Sequence, residues 1–277
     1  MKKILTIAGY DPSSGAGITK DLEVFSSFGA HGLSAPTCIV LQGPKGVQDV
    51  YPLPYSRFYE MIDMLKTLLP IDAVKIGAAW NEACVDRIAS FLDIAGDVPL
   101  VIDPVIAAKN GTRLLSDEGL KGLVKVLFPK ADVVIPNVDE AAAIAGRKVS
   151  SLNDMKACAK SLLDQGPKAV IIKGGHLKGD PVDLFYDGEE LLFSERRRID
   201  RTVHGTGCIF SSLMASFLAH GYDKREAFTE SGRTMEKLLA DSYRIDEEGY
   251  FYASLGTRQN RVSEKRRTVG ALKHAVK

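Results

Sequence analysis

The sequence predicts an α/β fold, a mostly parallel central sheet with helices on both faces. Three observations predict it. Short β-branched or apolar runs of buried-strand length alternate with amphipathic segments. No internal repeat, low-complexity tract or Pro/Ser-rich linker interrupts that alternation. A chain of 277 residues, 45% hydrophobic and 26% charged, is long and apolar enough to bury a full core.

Taken in order, strands are predicted at residues 3–8, 35–41, 73–77, 100–103, 133–136 and 169–173. Between them, residues 18–28, 57–69, 82–92, 117–127 and 153–163 carry apolar side chains at three-to-four spacing, as helices with one buried face do. This is the βαβ rhythm of a parallel sheet covered on both sides. Past Lys173 the pattern changes to a hairpin, residues 182–186 and 190–193 around Asp187-Gly188, followed by helices at 208–219 and 224–242. Residues 1–242 therefore read as one domain. Residues 243–277 read as a C-terminal extension, partly mobile, in which Tyr250, Phe251 and Tyr252 precede the basic run Lys265-Arg266-Arg267.

Composition excludes several function classes. A formal net charge of +1 argues against nucleic acid or an acidic membrane as the main partner and for small molecules. Residues 1–8 lack the longer apolar core and cleavage site of a signal peptide, and no later run is long and apolar enough for a membrane helix. Cys38, Cys84, Cys158 and Cys208 lie far apart without a C-x-x-C pair, so neither a zinc site nor a disulfide framework is signalled. The expected compartment is a reducing cytoplasm.

Three constellations carry chemistry. The loop Ala8-Gly9-Tyr10-Asp11-Pro12-Ser13-Ser14-Gly15-Ala16-Gly17 joins the first strand to the first helix, where ligands of open parallel sheets collect. It is either a substrate loop or a tight turn capped by Ser13 or Ser14. It has neither the dinucleotide-binding glycine order nor the P-loop ending. The second constellation, His204-Gly205-Thr206-Gly207-Cys208, stands ahead of an apolar helix, so free backbone N–H groups at a helix start offer an anion site suited to phosphoryl transfer. At that position the helix dipole is expected to lower the Cys208 thiol, making it a base or a polar wall; the alternative is an inert buried cysteine. The third is a rim of predicted strand ends, Asp103, Asn137, Glu140 and Lys173. Singly these are turn or cap residues; together they offer oxygen ligands and a cation to a magnesium-bound polyphosphate.

At these residues the sequence resembles the hydroxymethylpyrimidine/phosphomethylpyrimidine kinases of thiamine biosynthesis, within the ribokinase-like superfamily. The resemblance runs through the residue 8–17 loop with Asp21-Leu22, Gln42, Gly46-Val47-Gln48, Val74-Lys75-Ile76-Gly77, Asp103-Pro104-Val105 with Lys109 and Gly111, Asn137, Glu140, Lys173-Gly174-Gly175-His176 and the His204 to Cys208 string. It implies a three-layer α/β/α sandwich using ATP and Mg²⁺, and a homodimer. It implies that Gly9, Ala16, Asp21, Val40, Gln42 and Val105 hold the pyrimidine, with Gln42 on its amino edge. By the same resemblance Asp103 and Glu140 serve the magnesium, Asn137, Lys173 and His204 the ATP and its phosphates, and Lys173, Gly205, Thr206, Gly207 and Cys208 the catalytic centre. The chain departs from the family pattern at Ala78, where methionine is usual, at Trp80, where small residues are usual, and at Gly43-Pro44. Pyridoxal is the alternative acceptor, and a catalytically silent pyrimidine sensor the alternative of another class.

Overall fold

The computed structural model describes residues 1–43, 46–175, 180–245, 247 and 251–255. In chain order these form β1 (Lys2–Tyr10), α1 (Gly17–Ser27), β2 (Ala30–Gly43), β3 (Gly46–Pro52), α2 (Tyr55–Leu65), β4 (Ala73–Ile76), α3 (Glu82–Ala95), β5 (Leu100–Ile102), α4 (Asp117–Gly122), β6 (Val133–Val134), α5 (Val138–Ala145), α6 (Leu152–Leu163), β7 (Val170–Ile172), β8 (Val182–Tyr186), β9 (Leu191–Glu195), β10 (Val203–His204), α7 (Thr206–Ala219), α8 (Lys224–Ala240), β11 (Tyr243–Arg244) and β12 (Phe251–Tyr252).

Nine strands make one sheet in the order β3-β2-β1-β4-β5-β6-β7-β8-β9. The pairs from β2 to β7 are parallel, and antiparallel β3, β8 and β9 finish the two sides. Alternation along the strands divides the core into two layers. Leu5, Ile7, Val74, Ile76 and Ile102 face α2, α3 and α6, whereas Ile4, Ala73, Val101 and Val133 face α1, α7 and α8. The result is the expected ribokinase-like α/β/α sandwich. After β1 the chain moves outward to β2 and then returns to the other side of β1 as β4. This switch opens a crevice at the carboxyl ends of the strands.

Several expectations are corrected. Helix α5 was not foreseen; an Asn137/Glu140 capping box starts it directly after the strand end. The segment at 117–127 begins as α4 and continues as a π turn over Leu123–Leu127. The domain does not end at residue 242. Strand β12 pairs in parallel with β10 and antiparallel with β11, and Ala253 and Leu255 are buried in the α1/α7/α8 layer. The basic run at Lys265 and the aromatic Tyr250 lie outside the described residues, as do Pro44 and His176. No helix among the described residues is long and apolar enough to cross a membrane.

Candidate active site

The phosphate side grows from the start of α7. Gly205 precedes the helix at φ 68°, and a Cβ there would lie 1.9 Å from the Gly15 carbonyl oxygen, so this loop and the β1–α1 loop touch backbone to backbone. Residues Ile209 to Ala219 of α7 are buried, which fixes the helix rigidly behind the half-buried residues 205–208 at its start. A Cβ on Gly207 would come within 2.9 Å of Lys173 Nζ, so only glycine leaves the lysine its place beside the loop.

The strand ends deliver the charges. Lys173, at the end of β7, donates from Nζ to Asp103 Oδ1 at 2.9 Å, and Ser211 of α7 donates to Asp103 Oδ2 at 3.1 Å. Asn137 bridges to Lys173 through the backbone and exchanges capping bonds of 2.8 and 2.9 Å with Glu140. Burial opposes charge on Lys173, but Asp103 and Glu140 outweigh it and hold the ammonium above its ordinary 10.5. Burial raises the Glu140 carboxyl, Lys173 opposes that rise and Asp103 adds to it, leaving Glu140 well above the usual carboxylate range.

Cys208 corrects the dipole-based expectation. Burial pushes its thiol up to about 11, against a lowering by Lys75, so it is a neutral thiol at ordinary pH. Lys75 is itself fully buried and paired with Asp21.

The acceptor side is a cleft of about 180 Å³ whose walls include Ala16, Gln42, Val47, Val105, Leu114, His204 and Cys208. Gln42 Nε2 donates to Asp11 Oδ2 at 2.7 Å and touches His204 Nε2, which lies 3.6 Å from the same Asp11 oxygen. Asp11 also accepts from Ser13 N, Ser13 Oγ and Ala16 N at 2.7–2.9 Å. Burial works to raise its carboxyl, but bonds from His204 and Ser13 prevail and hold it below the usual range. The residue 8–17 loop is thus both a turn and a cleft wall, but neither Ser13 nor Ser14 caps α1, which starts after Ala16 without a side-chain cap while Ser13 bonds Asp11.

Three residues expected against the pyrimidine do not reach the cleft. Asp21 has no exposed surface and accepts from Lys75 at 2.8 Å, Thr6 at 2.6 Å and Ser212 at 2.7 Å, a buried network tying α1, β1, β4 and α7 together. Gly9 and Val40 lie against each other in the layer behind the wall. His204, expected at the phosphates, lines the same cleft as Gly205 to Cys208 and is held by the β1–α1 loop against Gln42 and Asp11. Ala78 packs with Cys38, Val40, Val47 and Leu114, and Trp80, at φ 66°, packs beside them; both stand behind the cleft rather than in it.

A second cleft, of about 340 Å³, lies between Arg196 to Val203 on one side and Phe210, Met235 and Leu239 on the other. It shares Lys109, Asn137, Lys173, Thr206 and Gly207 with the acceptor cleft, so the two join over the start of α7. Sequence reasoning missed this arginine-lined wall and the anchoring role of Asp11. Three consecutive arginines, residues 196–198, were the available signal for the wall.

Comparison with known proteins identifies the family. A family model described as phosphomethylpyrimidine kinase matches residues 11–251. A Bacillus subtilis hydroxymethylpyrimidine/phosphomethylpyrimidine kinase is 38% identical over 246 residues, 88% of this chain and 91% of that protein. Among solved structures, the Clostridium difficile phosphomethylpyrimidine kinase superposes with a TM-score of 0.75 at 35% identity, covering 86% of this chain and all of that one. The Staphylococcus aureus pyridoxal kinase in complex with AMP-PCP and pyridoxal gives 0.82 at 31%, covering 92% and 94%. Two clefts joined at a helix start beside a lysine between carboxylates are what a phosphotransferase needs, and by its match over nearly its whole described length the chain belongs to the phosphomethylpyrimidine kinase family.

Proposed function

We propose that the protein transfers the γ-phosphate of ATP to the hydroxymethyl group of 4-amino-5-hydroxymethyl-2-methylpyrimidine and then to the resulting monophosphate. The observation that carries this reading is the meeting of the two clefts at Lys173 and Gly207. ATP in the arginine-lined cleft would present its γ-phosphate there, and the pyrimidine would lie against Gln42, Val105 and Ala16. The acceptor oxygen forms a bond to the γ-phosphorus as the bond to the β,γ-bridging oxygen breaks and ADP leaves. Lys173 and the N–H groups of residues 205–208 stabilise charge on the transferring group.

A neutral Cys208 suits this chemistry. In a loose transfer the hydroxyl proton leaves late, and in the second step the attacking phosphate oxygen is already anionic, so no strong base is required. Cys208 then serves as a polar wall at the point of attack. Gln42 orients the ring, with Asp11 and His204 fixing its amide.

Asp103 and Glu140 fit Mg²⁺. They flank one lysine, and burial together with their mutual repulsion leaves Glu140 reluctant to ionise, a strain that a divalent cation relieves. When bound, the ion would neutralise charge on the phosphates. A homodimer is proposed from the family and is supported by exposed apolar side chains on β1, β2 and β3, namely Tyr10, Ile39, Leu41 and Tyr51.

A second reading, phosphorylation of pyridoxal, is favoured by two observations: the S. aureus pyridoxal kinase superposes better than the C. difficile enzyme, and the small Ala78 stands behind the cleft wall. An ATP- and Mg²⁺-dependent assay with hydroxymethylpyrimidine, its monophosphate and pyridoxal side by side, products identified by mass, decides between them. The pyrimidine diphosphate is the expected product. Preference for pyridoxal would transfer the reaction to that ring, and no turnover would leave a binding protein.

A further inference from the structure

The end of the described chain reaches back to the site. Strand β12 lies in parallel beside β10, with Phe251 N donating to Thr202 O at 3.0 Å, and β10 runs directly into the Gly205 loop. Successive residues of a strand face opposite sides, and here each side meets a different cleft wall. Tyr252, 4% exposed, sets its ring edge-on to His204 with centroids 6.2 Å apart, and His204 is the residue that touches Gln42 and Asp11 over the acceptor cleft. Phe251 lies under the guanidinium of Arg201 at 5.4 Å and that of Arg244 at 4.9 Å. Arg201 lines the nucleotide cleft and donates to the Leu239 and Ala240 carbonyls at the end of α8. Ala253 and Leu255, just beyond, are buried and anchor the strand.

We propose that Phe251 and Tyr252 are positioning residues for the two substrates separately: Tyr252 holds His204 in place for the acceptor, and Phe251 holds Arg201 in place for the nucleotide. The proposal rests on the reading of the two clefts given above. Neither side chain touches a reacting atom. Each acts through a neighbour, so its loss weakens one ligand and spares the other, which general loss of packing would not do.

Calorimetric titration of the full chain with hydroxymethylpyrimidine and, separately, with AMP-PCP tests this without requiring turnover. Tyr252→Ala is expected to weaken the pyrimidine roughly three- to tenfold, the worth of a ring–ring contact, and to leave AMP-PCP unchanged. Tyr252→Phe, which keeps the ring facing His204, is expected to weaken the pyrimidine less than the alanine variant does, and Tyr252→Leu replaces the alanine variant should that one not fold. Phe251→Leu is expected to do the reverse, weakening AMP-PCP roughly two- to fivefold by loss of the cation–π contact and sparing the pyrimidine. Ile62→Ala, in the opposite core layer, serves as the control, lowering the melting temperature with both affinities intact. Equal weakening of both ligands in the Tyr252 and Phe251 variants, or no weakening in either, overturns the proposal while leaving the kinase assignment standing. A wild-type protein that binds neither ligand overturns the reading of the clefts and this inference with it.

Discussion

On the acceptor side the recognition groups are side chains tied to one another, Gln42 to Asp11 and His204, whereas on the phosphate side they are backbone N–H groups of α7 with one lysine held between two carboxylates. The acceptor groups come from β1–α1, β2 and β10, and a change in any one re-aims its neighbours. The phosphate groups sit on an apolar helix and on adjacent strand ends, where the sheet itself sets their spacing. On the proposed function, the difference separates choice of substrate from transfer: the first lies in an adjustable hydrogen-bonded set, the second in rigid elements. Relatives named for pyrimidine and for pyridoxal sharing one fold fit that division.

Removing the phosphate-side cation breaks the comparison most severely. Lys173→Ala is expected to lower kcat by roughly 10²–10³, the usual loss when a group aimed at developing charge is removed, with the fold kept as judged by circular dichroism. Near-normal turnover would take Lys173 out of the mechanism. Next comes the acceptor side, where Gln42→Ala should raise the pyrimidine KM by about tenfold for its lost hydrogen bonds, leaving the KM for ATP unchanged. A parallel rise in both values would show that the clefts are not independent.

The smallest effect is expected at their junction. Cys208→Ala should cost less than about tenfold in kcat, because a neutral thiol supplies no base. With Cys208 raised to about 11 and Lys173 held above 10.5, neither group changes charge between about pH 7 and about pH 9, and kcat should show no limb from either in that window. In the metal-free protein burial raises the Glu140 carboxyl, so falling pH protonates it earlier than an ordinary carboxylate; on the proposed magnesium role this should weaken Mg²⁺ binding, because the proton competes with the ion. Glu140→Gln should remove that pH dependence from Mg²⁺ binding measured by calorimetry. A thiol limb near neutrality would restore Cys208 as the base.

Much of this was legible in the sequence where a local pattern carries the information. Periodicity located β1, β4, β5 and β7, and with them the strand ends Asp103 and Lys173, because in a parallel sheet all such ends share one rim. The glycines before Cys208 marked the start of α7 for the same local reason. What was not legible depends on distant partners. Asp21 reads by resemblance as a pyrimidine contact until Lys75, 54 residues away, is found paired with it in the buried interior. The contacts of His204 with Asp11 and Gln42, far apart in the chain, could not be read from its own loop. Strands β10, β11 and β12 have two residues each, too few for any period to show, so the extension looked separate from the domain it completes. At Cys208 the helix dipole and burial act in opposite directions, and the sequence shows only the dipole; burial of the thiol is the larger effect.

The division between choosing and transferring is tested most directly by calorimetric binding of hydroxymethylpyrimidine to the wild-type, Lys173→Ala and Gln42→Ala proteins. The account predicts wild-type affinity in the Lys173 variant despite its lost turnover, and affinity weaker by about tenfold in the Gln42 variant. Loss of pyrimidine binding in Lys173→Ala, or wild-type binding in Gln42→Ala, would contradict it.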